Sequence, residues 1–324
     1  MPNGTRSYKV PSMILSDKRQ KGQFFTQGNP FGYPAFLRWA KLAGLPQAQV
    51  LEPFAGANGL IAMLRKEKLC REFISYDIAP ASRQVRHRDT MADFPTGFSV
   101  CVTNPPWLAR NSATRRGLNF PATGFDDVYK HCLRLCLSHC QHVAAIVPAS
   151  FLQSGLFRSR LHTYILLHGN MFNDTENPAC LALFGEPRKQ VQLFYDEDYI
   201  GALDMMEQHL PQEQKQKMPL KFNCRDGALG FISFDNNRQA SIRFCDAKEL
   251  EGRAIKHSSR FITRISGNFH NLGRLVARLN DRISAFRIDT RDIFLTPFKG
   301  IRNDGVYRRR MEYGLARKFI HEVS

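Results

Sequence analysis

The stretch "VCVTNPPWLARN", residues 100–111, runs four strand-forming residues straight into Asn104-Pro105-Pro106-Trp107. Neither proline has an N–H to give to a sheet ladder, so a strand must end here. Just past that end stand a side-chain amide oxygen (Asn104), a backbone carbonyl stiffened by a ring (Pro105), a second proline (Pro106) and a flat indole (Trp107). This set suits one kind of chemistry. An amino group conjugated to an aromatic ring is a poor nucleophile, because its lone pair is delocalised. Two fixed acceptors taking its two hydrogens draw the nitrogen toward tetrahedral geometry, and they stabilise the positive charge that develops on alkylation. The indole adds a surface on which the ring can stack. Neither a metal nor a covalent intermediate is required. Taken alone, the same four residues also read as a strand-ending turn with a buried Trp.

Other strand ends carry residues that fit the same chemistry. In "EPFAGANG" (52–59), Gly56 and Gly59 permit a tight turn into a helix that starts near Asn58. In "SYDIAP", Asp77 is placed to take both hydroxyls of a ribose, with Ile78 against an adenine face. In "MADFP" (91–95), Asp93 can accept from an exocyclic amino group while Phe94 stacks on the purine. Each residue alone has a structural explanation, such as a cap or a core contact. Together they describe a pocket for an adenosine-containing cofactor at the carboxyl ends of parallel strands. The glycine spacing matches neither G-x-G-x-x-G nor G-x-x-x-x-G-K-[ST], which favours a nucleoside without phosphates.

These residues resemble the S-adenosylmethionine-dependent adenine-N6 DNA methyltransferases of restriction–modification systems. The motif order is their gamma arrangement, in which the cofactor half precedes the catalytic motif and the target-recognition domain comes last. The resemblance covers about residues 20 to 195. "KGQFFTQGNPF" (21–31) is similar to the leading motif and implies that Thr26 reaches the methionine carboxylate. "VLEPFAGANG" implies Glu52 near the methionine ammonium, with Ala55 and Gly56 lining the site. "YDIAP", "ADF" and "TNPPW" then imply Asp77 on the ribose, Ile78 and Phe94 beside the adenine, Asp93 on its amino group, and Asn104 to Trp107 as the catalytic motif. "GNMFNDTENPACLALF" (169–184) is similar to a later motif, which implies Phe172 on the far face of a flipped-out base, opposite Trp107. S-adenosyl-L-methionine is the implied cofactor and duplex DNA the implied partner, with a cognate restriction endonuclease as genetic partner.

The elements that must hold these residues follow from periodicity. "AQVLEPF" (48–54), "EFISYDI" (72–78), "FSVCVT" (98–103) and "HVAAIVP" (142–148) read as buried strands, while "GLIAMLRKEKL" (59–69) and "DDVYKHCLRLCLSHC" (126–140) have helical spacing. Continuous apolar strands alternating with helices predict a mostly parallel sheet covered on both faces. "YILLHGNMF" (164–172), "PACLALFG" (178–185) and "KQVQLFY" (189–195) predict an antiparallel edge on it. The expected fold is therefore α/β. It comprises a Rossmann-like methyltransferase sheet over residues 1–198, followed by a smaller, basic, DNA-recognition domain over residues 199–324. Within the latter, "ALGFISFDNNRQASIRF" (228–244) predicts a hairpin turning at Asp235-Asn236-Asn237.

Charge supports a polyanionic partner. The 324 residues carry a formal net charge of +17, and such an excess most often meets nucleic acid. From Glu251 onward sixteen Lys and Arg face seven Asp and Glu, with aromatics interleaved. Lys299, Arg302, Arg308, Arg309 and Arg310 are the expected DNA contacts, mostly to phosphate. The eight cysteines are scattered, the first 23 residues hold no apolar stretch of signal-peptide length, so no secretory leader is expected, and there is no run of about 20 apolar residues. A reduced cytoplasmic protein is expected, a monomer with no membrane attachment and no metal. Cys132, Cys136 and Cys140 recur every four residues near three histidines. On a helix that spacing forms a stripe, so they are expected in the core. RNA adenine methylation, glutamine methylation of a protein, cytosine-N4 methylation, and a catalytically silent nucleic-acid-binding protein are the alternatives to the DNA reading.

Overall fold

The computed structural model describes residues 29–168, 177–212, 218–253, 255 and 259–324. They form two units, one running to Pro148 with Phe157–Lys189 and Tyr195–Glu197, the other comprising Ala149–Leu156, Gln190–Phe194 and Asp198–Ser324.

In the first unit a proline opens α1 (Pro34–Leu42), where its missing N–H costs nothing. Phe36 and Trp39 of this helix are buried, and the Trp39 indole N–H donates to the Phe184 carbonyl at 2.9 Å. There follow β1 (Gln49–Glu52), α2 (Gly59–Lys66), β2 (Glu72–Asp77), β3 (Val85–His87) and β4 (Val100–Thr103). Then come α3 (Arg110–Arg115), α4 (Val128–His139), β5 (His142–Pro148), β6 (Leu161–Leu167) and β7 (Ala179–Phe184). These strands lie in the order β3-β2-β1-β4-β5-β7-β6. The β1–β2, β1–β4, β2–β3 and β4–β5 pairs are parallel. Every residue of β4, β6 and β7 is buried, as expected of strands covered on both faces.

The mostly parallel α/β sheet is thus the one expected, with two differences. The antiparallel strand is not an outer edge: β7 pairs antiparallel with both β5 and β6, so it sits between them and β6 runs parallel to β5. The short β3 had no apolar run to betray it, since Arg86 and His87 are exposed. The cysteine stripe of α4 is buried together with Val128, Tyr129, Leu133 and Leu137, in keeping with core packing. Among the described residues no helix is long and apolar enough to cross a membrane.

The strand order places the site. The chain leaves β1 toward β2 and β3 on one side, then returns to β4 on the other side of β1. At such a reversal the flanking connections diverge and leave a crevice beyond the carboxyl ends of the strands. Glu52, Asp77 and the residue after Thr103 all stand at those ends.

The second unit contains β8 (Gln192–Tyr195, its last residue in the first unit), β9 (Asp198–Ala202), α5 (Leu203–Glu207), β10 (Lys221–Phe222), β11 (Leu229–Ile232), β12 (Arg243–Asp246) and β13 (Ile262–Ser266). It ends with α6 (Leu272–Thr290), β14 (Thr296–Ile301), β15 (Tyr307–Arg310) and α7 (Tyr313–Val323). An antiparallel sheet of order β10-β13-β11-β12 shares a core with α6 and α7 through Phe231, Phe244, Ile265, Leu279, Phe286 and Phe319. β11 and β12 pair as the expected hairpin, from Leu229↔Asp246 to Ile232↔Arg243. Its connection is not a tight exposed turn, however, because Asp235 is turned inward and fully buried.

Asp235 organises this unit. Its carboxylate accepts two hydrogen bonds from the Arg287 guanidinium at 2.8 Å each and one from Arg302 at 2.8 Å. It also accepts the Ser241 and Arg309 backbone N–H groups at 2.7 and 3.2 Å. Burial alone would raise its pKa, but the hydrogen bonds and charge of Arg287, the Ser241 N–H and Arg302 outweigh that and hold it below the ordinary carboxylate range.

The arrangement corrects two expected DNA contacts. β15 alternates in and out, so Tyr307 and Arg309 face the interior while Arg308 and Arg310 are partly exposed. Arg309 is 1% exposed, and Arg302, at 8%, is spent on Asp235 and Asp304. Neither presents a guanidinium to a phosphate.

Replacing Asp235 with Ala removes the buried carboxylate that Arg287 and Arg302 share, leaving them only Asp292 and Asp304, and is expected to destabilise the protein by about 3–5 kcal/mol, measured by chemical or thermal unfolding at neutral pH. A carboxylate with a lowered pKa contributes stability above its unfolded value of about 4 and loses it as pH falls through its folded value. The gap between wild type and Asp235→Asn should therefore narrow on acidification below about pH 4. A gap independent of pH would show that the ionised form is not what holds the cluster.

Candidate active site

The loop after β1 is shaped by its own backbone. Gly56 has φ +51°, and Asn58, at φ +67°, takes the left-handed conformation that lets α2 start immediately afterwards. Asn58 is buried, and its side-chain oxygen accepts from the Ser75 hydroxyl at 2.7 Å. The Ala55 N–H donates to the Tyr76 carbonyl at 2.9 Å, fastening the loop to β2. Asp77 completes the clamp: one carboxylate oxygen accepts the Gly56 N–H at 2.8 Å, the other the Ala79 N–H at 2.7 Å. The loops leaving β1 and β2 are thereby held at a fixed separation.

Between them opens a cavity of about 480 Å³, within the range of small-molecule sites. Its wall includes Glu52, Ala55, Gly56, Asp77 and Ile78 from the expected set, with Asn104 and Pro106 from the strand-ending motif. Three carboxylate residues, Glu52, Asp77 and Asp89, line it, and among the described residues no Lys or Arg does. Such a wall repels polyphosphates and suits a ligand bearing positive charge and hydroxyl or amino hydrogens.

Glu52 is 1% exposed and accepts from the Phe54 N–H at 3.1 Å and the Thr103 hydroxyl at 2.8 Å. Burial pushes its carboxyl up to about 8, against the pull of the Thr103 and Phe54 hydrogen bonds and with a further push from Asp77. At neutral pH it is mainly protonated unless a cation arrives beside it.

Asp93 and Phe94 are not brought to the cavity. Asp93 is exposed and pairs with Arg88 at 2.8 Å, while Phe94 stacks on His139 with centroids 5.1 Å apart. Asp89, Thr90 and Met91 line the cavity in their place. Asp89 follows the carboxyl end of β3, and its carboxylate accepts the Met91 and Ala92 N–H groups at 3.1 and 3.3 Å. Recognising β3 from sequence would have pointed to Asp89; with that strand hidden, the more suggestive Asp-Phe pair four residues on drew the assignment.

Of the strand-ending motif, Asn104 is half-buried and Pro106 walls the cavity, whereas Pro105 and Trp107 are buried and do not line it. Trp107, at 7% exposed, does not offer an indole face to the cavity in this conformation. The turn is anchored by a residue the sequence reading passed over. Asp127 accepts the Leu108 N–H at 3.0 Å and caps α4 through the Tyr129 N–H. The Val128 N–H donates back to the Leu108 carbonyl at 3.1 Å. Thr26 and Phe172 lie outside the described residues.

No protein-family model and no curated protein sequence matches the chain. Its strand arrangement has partial likeness to solved structures. A component of a type I restriction–modification system is 18% identical over 56% of this chain and 47% of the other, with a TM-score of 0.38. The methyltransferase subunit of such a system from Streptococcus thermophilus is 15% identical over 63% and 52%, TM-score 0.37. The M protein of the type I restriction enzyme EcoKI is 11% identical over 79% and 71%, TM-score 0.33. The chain thus spans about half the length of the first two of these proteins. At such TM-scores the resemblance carries no weight for activity, and the α/β fold is read from this chain's own strand pairing.

A carboxyl whose pKa is higher folded than unfolded holds a proton that the unfolded chain has lost, so stability falls as pH rises from about 4.3 toward the folded value. Glu52→Gln should therefore melt close to wild type at about pH 5 and above it under alkaline conditions, where wild type must bury a charge. Parallel melting curves across this range would remove the case for a protonated Glu52.

Proposed function

We propose that this chain transfers a methyl group from S-adenosylmethionine to the N6 amino group of an adenine in duplex DNA, as the modification enzyme of a restriction–modification system. One observation carries the reading. Asn104 and Pro106, from the turn at the end of a central strand, wall a cavity lined by three carboxylates and by no cation among the described residues. That donor set fits the cofactor. Glu52 would hold the ammonium, Asp77 the ribose hydroxyls and Asp89 the adenine amino group, with Ile78, 55% exposed, lying along the ring. When bound, the cofactor supplies a methyl group made electrophilic by its sulfonium.

The chain's own residues would do the rest. The Asn104 side-chain oxygen and the Pro105 carbonyl accept the two hydrogens of the target amine, free its lone pair and stabilise the charge that builds on nitrogen. Pro105 and Pro106 fix both acceptors in advance, and Asp127 keeps the turn in register. A base inside a duplex must leave the stack to reach these groups, at a cost of a few kcal/mol. Contacts to the nucleic-acid backbone offset it, and exposed Lys299 with the outward-facing Arg308 and Arg310 suit that role.

Incubation with isotopically labelled S-adenosylmethionine and, in parallel, duplex DNA, RNA and protein, followed by mass spectrometry of the hydrolysates, tests the reading. Label in N6-methyladenosine from RNA, or in methylglutamine, would replace it. Asn104→Ala should lower turnover at least about a hundredfold with cofactor affinity nearly unchanged. Asp77→Ala should weaken cofactor binding by calorimetry, both through lost ligand contacts and through release of the loop clamp. Undiminished turnover in the first variant would remove Asn104 from the mechanism.

A further inference from the structure

One surface of the second unit combines features that the catalytic reading leaves unused. Phe234, Phe261 and Phe298 form a cluster with ring centroids 5.3 to 6.4 Å apart. Phe261 is 46% exposed, unusual for a phenylalanine with two ring neighbours. The Arg308 guanidinium lies over this cluster, 4.7 Å from the Phe298 centroid and 5.5 Å from that of Phe234. The Asp235 backbone carbonyl accepts its Nε–H at 2.8 Å, which fixes the plane of the group.

The backbone is adapted to this placement. The β14–β15 pairing shifts register between Pro297 and Ile301, and Gly300 within that shift has φ +92°. A Cβ on Gly300 would meet the Arg308 side chain at 3.2 Å. A glycine at this position therefore leaves the space in which the Arg308 side chain lies.

Charge identifies the partner. Arg287, Arg302 and Arg310 are each paired with carboxylates. Among the described residues no carboxylate pairs with Arg308, with Arg260 next to Phe261, or with Lys299 next to Phe298. One such cation, Arg308, thus lies over the clustered rings, and two more, the exposed Arg260 and Lys299, adjoin Phe261 and Phe298 in the chain. Flat apolar faces joined by regularly spaced anions match both elements at once, and nucleic acid has that chemistry.

We propose that Phe261, with Phe298 and Arg308, forms a stacking platform for an unstacked base or an opened base step of nucleic acid, while Arg260 and Lys299 hold the adjoining phosphates. This deepens the nucleic-acid part of the function proposed above and rests on it. Aromatic rings placed beside cations in this way serve both single-strand binding and wedging into a duplex.

The test uses the full chain, with a fluorescein-labelled mixed-sequence DNA duplex and its single strand as probes and polyglutamate as the control polyanion. Phe261→Leu keeps the apolar bulk but removes the flat face, and Arg308→Lys keeps the charge but cannot stack. Each should weaken DNA binding about tenfold while leaving the dependence of affinity on salt unchanged. Lys299→Ala and Arg260→Ala should each lower the salt slope by about one. Melting temperatures serve as a folding check, and Phe261, being half exposed, tolerates the change.

Wild-type affinity in both Phe261→Leu and Arg308→Lys would overturn the platform, as would equal affinity of the wild type for polyglutamate, which would point to an acidic protein. The two readings fail separately. Methyl transfer to DNA with no effect of these variants removes the platform and keeps the enzyme. DNA binding that depends on both variants, without transfer to DNA, removes the enzyme and keeps the platform.

Discussion

The candidate site depends on one carboxylate. Asp77 accepts an N–H from the loop that leaves β1 and another from its own loop, at 2.8 and 2.7 Å. Both are charge-assisted hydrogen bonds, stronger than neutral ones. They fix the distance between two connections that would otherwise diverge at the reversal of strand order. The wall formed by Gly56 and Ala79 on either side of the cavity rests on that clamp. Asp77 is buried at 6% exposed and lines the cavity, so one side chain both builds the wall and faces the ligand space. A loss at this position would act on architecture and on binding together.

A second carboxylate plays the corresponding part in the basic unit, by a different balance. Asp235 is fully buried and survives as an anion because Arg287 and Arg302 surround it. Burying charge this way is costly unless every partner is present. The cost explains why arginines that look, in sequence, like an exposed basic tract are divided between interior and surface. The tract "YRRR" of β15 is a strand, and the pleat sends alternate residues to opposite sides. The interior members organise the unit, leaving Arg308 and Arg310 on the outer face.

Chemistry-bearing residues were easier to locate by type than by reach. Asp93 and Phe94 have the right chemistry for an adenine, yet Arg88 draws Asp93 outward and His139 takes Phe94. Asp89 stands at the cavity because it follows the end of β3, a strand of three residues with only Val85 buried. Asp127 gave even less signal. It looks like the start of a helix, whose N-cap it is, and only the fold brings the Leu108 N–H, just past the Asn-Pro-Pro-Trp turn, to the same carboxylate oxygen.

The sequence by itself determined the alternation of buried strands and amphipathic helices, hence a parallel sheet, because unbroken apolar runs can be satisfied only with both faces covered. It also placed Glu52, Asp77 and Asn104 at strand ends, since prolines and glycines mark where ladders stop. Tertiary structure alone decided that β7 enters between β5 and β6, that Asp89 and not Asp93 reaches the cavity, and that Arg302 and Arg309 turn inward. The physical reason is common to all three. Local pattern fixes a residue's conformation and which side of its own element it occupies, whereas partner choice depends on which distant strand, guanidinium or carboxylate the completed fold brings within hydrogen-bonding range.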